Sequence, residues 1–141
     1  MKKNLCSISI SKELKKLKFR EKTLYFYSKS CVKKNPNLYI RDWNHYIEYL
    51  NWTSIPTVDE AIDWLRKKYN IVIYDHVPPF VDPKDDKHRI IYSYDVKFCN
   101  RRDGWNGKIF ISCAKCCSYN IYTAKRMAIM KAISWIKENK K

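Results

Sequence analysis

The chain has 141 residues, 45% hydrophobic and 15% aromatic, with 29 Lys and Arg against 14 Asp and Glu for a formal charge of +15. That is enough apolar material for one ordinary domain with its own core, and it excludes a disordered polyelectrolyte. Gly104 and Gly107 are the only glycines, so loops whose backbone closes on phosphate are excluded, and with them P-loop and dinucleotide-fold enzymes.

The charge is unevenly spread. Residues 1–34 carry 11 basic and 2 acidic side chains, residues 35–100 carry 8 and 10, and residues 101–141 carry 10 and 2. Two basic ends that met in space would form one face suited to a polyanion; lysine-rich helix surfaces in water are the plainer alternative. No stretch approaches the ~18–20 apolar residues of a membrane span, so no membrane partner is expected. The opening residues resemble a signal peptide only until Lys12, Lys15, Lys16 and Lys18 interrupt them. The expected setting is a reducing cytoplasm, with the six cysteines as thiols.

In chain order, Ile10, Leu14 and Leu17 recur at helical spacing and predict a helix over residues 9–18, capped by Ser7 or Ser9. Residues 23–27 are β-branched and aromatic and read as a strand, followed by a turn over residues 33–37. Residues 38–52 carry aromatic side chains at mixed spacings, compatible with a strand pair or a helical turn. Thr57 and Glu60 form a capping box, and Val58, Ile62, Leu65 and Tyr69 trace one face of a helix over residues 58–69. Residues 71–75 are a short apolar strand, and the Pro- and Asp-rich stretch 76–88 is a loop. Residues 89–99 and 108–117 read as hairpin arms around an Asp-Gly turn. Alternation puts Tyr92, Tyr94, Val96 and Phe98 on the core side of the first arm and Ile91, Ser93, Asp95 and Lys97 on the other. A last helix over residues 122–138, capped by Asn120, buries Ala128, Ala132, Trp135 and Ile136. With no repeats or linkers, the expectation is a single α+β domain: an antiparallel sheet of three to five strands with helices packed on one face.

Cys113, Cys116 and Cys117, with Cys99 and the histidines His45, His76 and His88, contain the ligand types of a zinc site. A second Cys-x-x-Cys is lacking, and a motif continuing a strand points its sulfurs to opposite faces, so buried thiols are the plainer reading and no cofactor or metal is expected. No histidine is spaced to activate a cysteine. Asp59, Glu60 and Asp63 sit at a helix start, where negative charge offsets the dipole. Asp82, Asp85 and Asp86 belong to a solvated loop. A nuclease needs acids on a central strand beside basic residues, and only Asp95 meets that requirement. No catalytic residue is therefore expected.

Arg101, Arg102, Trp105 and Lys108 form a hairpin tip able to clamp phosphates or stack on a base, or else to anchor a protein interface. Residues 124–133, Ala-Lys-Arg-Met-Ala-Ile-Met-Lys-Ala-Ile, resemble the second helix of the double-stranded RNA-binding domain, and the helix–strands–helix order over residues 55–137 is similar to that family. The family's Lys-Lys pair is replaced by Ile121 and Tyr122, so the resemblance implies phosphate contacts from Lys125 and Arg126 alone; Lys131 is expected to complete that patch. Residues 9–19 and 56–66, followed by a hairpin and a last helix, are similar to small uncharacterised proteins of phages and prophages, which implies an accessory role in an infected bacterium. The expectation is a basic, non-enzymatic protein engaging nucleic-acid phosphates through those residues, with Lys12, Lys15, Lys16 and Lys18 adding electrostatic reach. The alternative partner is an acidic host protein.

Overall fold

The computed structural model describes residues 3–28, 31–34, 40–45, 51–99 and 108–139; along residues 108–118 the described side chains are those of Ile111 and residues 116–118. Among the described residues the fold is α+β, with three helices and two antiparallel sheets. The chain divides into two compact units, Met1–Glu60 and Ala61–Lys141.

In the first unit, helix α1 (Ile8–Lys16) starts at Ser7, whose hydroxyl accepts from the Ile10 amide at 3.2 Å. It stops short of the predicted end because Lys18 turns left-handed, with φ 67°. The Phe19 amide then reaches back to the Leu14 carbonyl at 3.0 Å and the Lys18 amide to the Lys15 carbonyl at 3.0 Å. This is a Schellman closure with lysine where glycine is usual, and buried Leu14 and Phe19 supply its apolar contact. The first strand, β1 (Tyr25–Ser28), begins two residues later than its composition suggests, because Thr23 bridges Arg41 instead. Strand β2 (Cys31–Lys34) takes Lys33 and Lys34 out of the predicted turn; residues 35–37 lie outside the described residues. Strand β3 (Thr53–Ile55) pairs with β1 on its other edge, giving the order β2-β1-β3.

The ambiguous segment 38–52 is described at residues 40–45 and 51–52. Arg41 is bridged to Thr23, residues 43–45 form a turn, and Trp52 stacks on Phe26 at 4.8 Å beside Trp43. Asn44, buried in that turn, ties β3 to the chain just after α1: its Oδ1 accepts from the Ser54 amide at 2.8 Å and its Nδ2 donates to the Phe19 carbonyl at 2.9 Å. Leu5, Ile10, Leu14, Phe19, Ile55 and Val58 complete the core.

Helix α2 (Val58–Tyr69) opens with the predicted capping box: the Thr57 amide donates to Glu60 Oε1 at 2.9 Å, and the Glu60 amide to Thr57 Oγ1 at 3.1 Å. It closes at Asn70, left-handed at φ 56°, a conformation asparagine tolerates better than most residues. Strand β4 (Ile71–Asp75) follows directly.

The predicted loop 76–88 is interrupted by a two-residue strand, β5 (Phe80–Val81), which pairs with the start of β6 (Ile90–Cys99). The His76 amide donates to Ser93 O and the Asp82 amide to Arg89 O. Ser93 on β6 and Arg89 just before it are an even number of residues apart, so β4 and β5 lie along the same edge, as two pieces of one strand broken at Pro78 and Pro79. Strand β7 (Lys108–Ser118) pairs with the opposite edge, forming the predicted hairpin. Helix α3 (Ile121–Asn139) lies across β6 and β7, burying Ala124, Ala128, Ile129, Ala132, Ile133 and Ile136, with Trp135 stacked on Phe98 at 4.8 Å.

The even-numbered residues of β6 therefore face α3, as alternation requires. The odd face departs from expectation: Ser93 and Asp95 are buried, not solvated.

Candidate functional site

Helix α3 holds three of the predicted contact residues. Its first turn is capped by Asn120, whose Oδ1 accepts from the amides of Tyr122 at 2.9 Å and Thr123 at 3.0 Å. With the alanine–isoleucine stripe turned to the sheet, Met127, Met130, Lys131 and Lys137 are left exposed, and Lys125 and Arg126 sit half-buried at the margins. The Lys125 ammonium lies 6.0 Å from the Tyr94 ring centroid, at the outer limit of a cation–π contact. Glu138 is the only acidic residue on the helix. Along α3 itself the charged residues are therefore Lys125, Arg126, Lys131 and Lys137 against Glu138.

The hairpin tip is a different matter. Arg101, Arg102 and Trp105 lie outside the described residues, and Lys108 is placed only by its backbone, opposite Cys99.

Of the α1 lysines, Lys12 lies over the Tyr27 ring at 5.2 Å, Lys16 reaches Glu13 at 3.4 Å, and Lys18 is the exposed left-handed residue of the helix closure. Lys15 is committed inside the first unit: its ammonium donates to Trp52 O at 2.7 Å and Asn51 Oδ1 at 3.0 Å, and partial burial lowers its pKa. These lysines and the α3 cations belong to different compact units.

The acidic loop proves to be internally paired. Asp85 accepts from Arg89 Nε at 2.8 Å and Nη2 at 3.2 Å, Arg89 stacks on the Tyr119 ring at 4.0 Å, and the Tyr119 hydroxyl donates to Asp82 at 2.6 Å. Arg89 holds the Asp85 carboxyl down to about 2, and Tyr119 lowers that of Asp82. The loop is a clasp fastened to the end of β7. Among the described residues no group of three or more His, Cys, Asp or Glu converges as a metal site; Cys116 is buried and Cys117 exposed.

Sequence reasoning missed a cluster on the face of the sheet away from α3. His76 Nδ1 lies 3.0 Å from Asp95 Oδ2, the carboxylate being buried in mid-strand while a third of the imidazole stays exposed. The β4–β6 register sets Tyr74 opposite Asp95 and carries His76 to a place opposite Ser93. Lys97 lies over the Tyr74 ring at 4.6 Å. The Ser93 hydroxyl and the Tyr74 phenol oxygen are buried without a hydrogen-bond partner. Across the other edge, between the pairs Tyr94–Cys116 and Val96–Ser112, Asp95 alone faces residues 113–115 of β7, a bulge formed by part of the cysteine motif. The mid-strand aspartate was the one legible hint; its partner depends on strand register.

Compared with models of known protein families, with curated proteins and with solved structures, the chain matches none.

Proposed function

We propose that this protein binds nucleic acid through its phosphates, with the exposed side of α3 as the principal contact. The observation that carries the reading is the charge composition of that helix: Lys125, Arg126, Lys131 and Lys137 against one acid, in a chain of net charge +15. Such a surface gains affinity by releasing the counterions condensed on a polyanion, whatever its sequence. Met127 and Met130, exposed among these cations, offer adaptable apolar contact to sugars and base faces. The hairpin tip with Arg101, Arg102, Trp105 and Lys108, and the α1 lysines, extend the same chemistry.

The test is a titration of the purified protein against labelled double-stranded RNA, double-stranded DNA and single strands at low and moderate salt. Affinity should fall steeply with salt, with a log–log slope of about −0.9 per phosphate neutralised on duplex DNA. Charge reversal at Lys131, K131E, should weaken binding to all sequences alike and flatten the slope by about one contact. Double-stranded RNA is among the probes because the order of elements over residues 55–137 resembles that of the double-stranded RNA-binding domain. No binding at low salt refutes the proposal and directs the search to an acidic protein partner.

A further inference from the structure

We infer that Asp95 and His76 form a general-base dyad that cleaves single-stranded RNA at the ribose 2′-hydroxyl. The inference rests on the nucleic-acid reading but not on α3, which packs on the opposite face of the same sheet.

Three separate irregularities meet at one place. A carboxylate is buried in the middle of a central strand, where a charge is costly unless paired. Two hydroxyls on the same face, of Ser93 and Tyr74, are buried without a partner, a loss of roughly 1–3 kcal/mol each that a fold with no use for them avoids by placing apolar residues there. And the neighbouring strand bulges opposite the carboxylate, the kind of irregularity that clusters beside functional sites. Ordinary packing calls for none of these, and departures from local consistency gather at functional sites.

The geometry assigns the roles. An ionised Asp95 accepts from Nδ1–H of His76 and so leaves the lone pair of the neutral ring on Nε2, on the partly exposed side of the imidazole. The His76 amide, bonded to Ser93 O at 3.0 Å, fixes the backbone that carries the ring. A single oriented base activates a nucleophile that the substrate itself brings, and in RNA the 2′-hydroxyl stands beside the phosphodiester. His76 Nε2 takes the 2′-proton, the 2′-oxygen bonds to phosphorus, and the bond from phosphorus to the 5′-oxygen breaks. The products are a 2′,3′-cyclic phosphate and a 5′-hydroxyl, whose proton comes from water; His76 returns its own to solvent. No electron changes hands. Lys97, two residues beyond Asp95 on the same face, supplies positive charge for the phosphoryl oxygens. DNA, lacking the nucleophile, is bound and left intact.

The experiment incubates the full chain with a labelled single-stranded RNA and its DNA counterpart, in parallel with a binding titration of both. The expected result is RNA cleavage to fragments ending in cyclic phosphate, with DNA untouched. His76→Ala, prepared identically to exclude a contaminating nuclease, should slow cleavage by about 100- to 10,000-fold with binding and folding retained. Asp95→Asn should also slow it, by favouring the wrong tautomer. RNA bound but not cut, or cut equally by the His76→Ala protein, overturns the dyad alone. Absence of binding to either strand overturns the phosphate-binding reading, and the dyad with it.

Discussion

Replacing Asn44 tests how the first unit closes its sheet. The Ser54 amide and the Phe19 carbonyl are both buried, and each finds its partner on one side chain, at 2.8 and 2.9 Å. Asn44→Ala removes both partners and leaves a donor and an acceptor unsatisfied away from water, at about 1–3 kcal/mol each. The expected loss is therefore about 2–6 kcal/mol, a large share of the ~5–15 kcal/mol that stabilises a typical domain. Asn44→Asp sharpens the argument. The introduced carboxylate still accepts from Ser54 but opposes the Phe19 carbonyl, so its pKa is raised in the folded state; once protonated, it donates to that carbonyl. With a raised folded-state pKa, its stabilising contribution is complete below the ordinary carboxylate range and is lost as pH rises through the folded value. Urea denaturation followed by tryptophan fluorescence (Trp43 and Trp52 both belong to this unit) reads the effect across pH. A loss below about 1 kcal/mol for Asn44→Ala, or an Asn44→Asp variant no more stable in acid than at neutrality relative to the parent, would refute the idea that one side chain satisfies both buried backbone groups.

Two further outcomes are expected. Thr57→Ala removes the acceptor for the Glu60 amide and should cost about 1 kcal/mol, measured by the shift in denaturation midpoint at constant slope, while Thr57→Ser should cost less. The clasp of Asp85, Arg89 and Tyr119 should open in acid. The Asp85 pKa is depressed to about 2, so its contribution is present above the ordinary carboxylate range and is lost between about 4 and 2. Amide exchange of residues 82–89 should accelerate in that window beyond the intrinsic pH effect, and Asp85→Asn should abolish the excess. Tyr119 titrates above the usual tyrosine range because its proton is held by Asp82, and Asp82→Asn should bring it back down in an absorbance titration.

What the sequence determined by itself is what short-range chemistry decides. The serine cap of α1, the Thr57–Glu60 box that opens α2 and the Asn120 cap of α3 involve partners within a few residues, so local composition specifies them; β4 and the hairpin arms were legible from their apolar and alternating composition, although their pairing partners lie further along the chain. Lys131 on the outer face of α3 was legible for the same reason: helical period alone separates it from the alanine–isoleucine stripe. The tertiary structure decided the rest. The end of α1 at Lys16 requires a left-handed lysine that no propensity favours, held by the Phe19 amide's bond to the Leu14 carbonyl and by the burial of both side chains. Strand β5 exists only because β6 extends far enough to pair with it. The acidic loop is a clasp because Tyr119, 37 residues from Asp82 in sequence, arrives at the same end of the sheet. His76 and Asp95, 19 residues apart, meet because β4 and β6 pair in one register; sliding β4 by one residue would turn His76 to the other face. Alternation correctly put Asp95 on the face away from the core helix, but it carries no information about whether that face is open to water or covered. Burial of the carboxylate, on which its chemistry depends, follows from packing between segments distant in sequence.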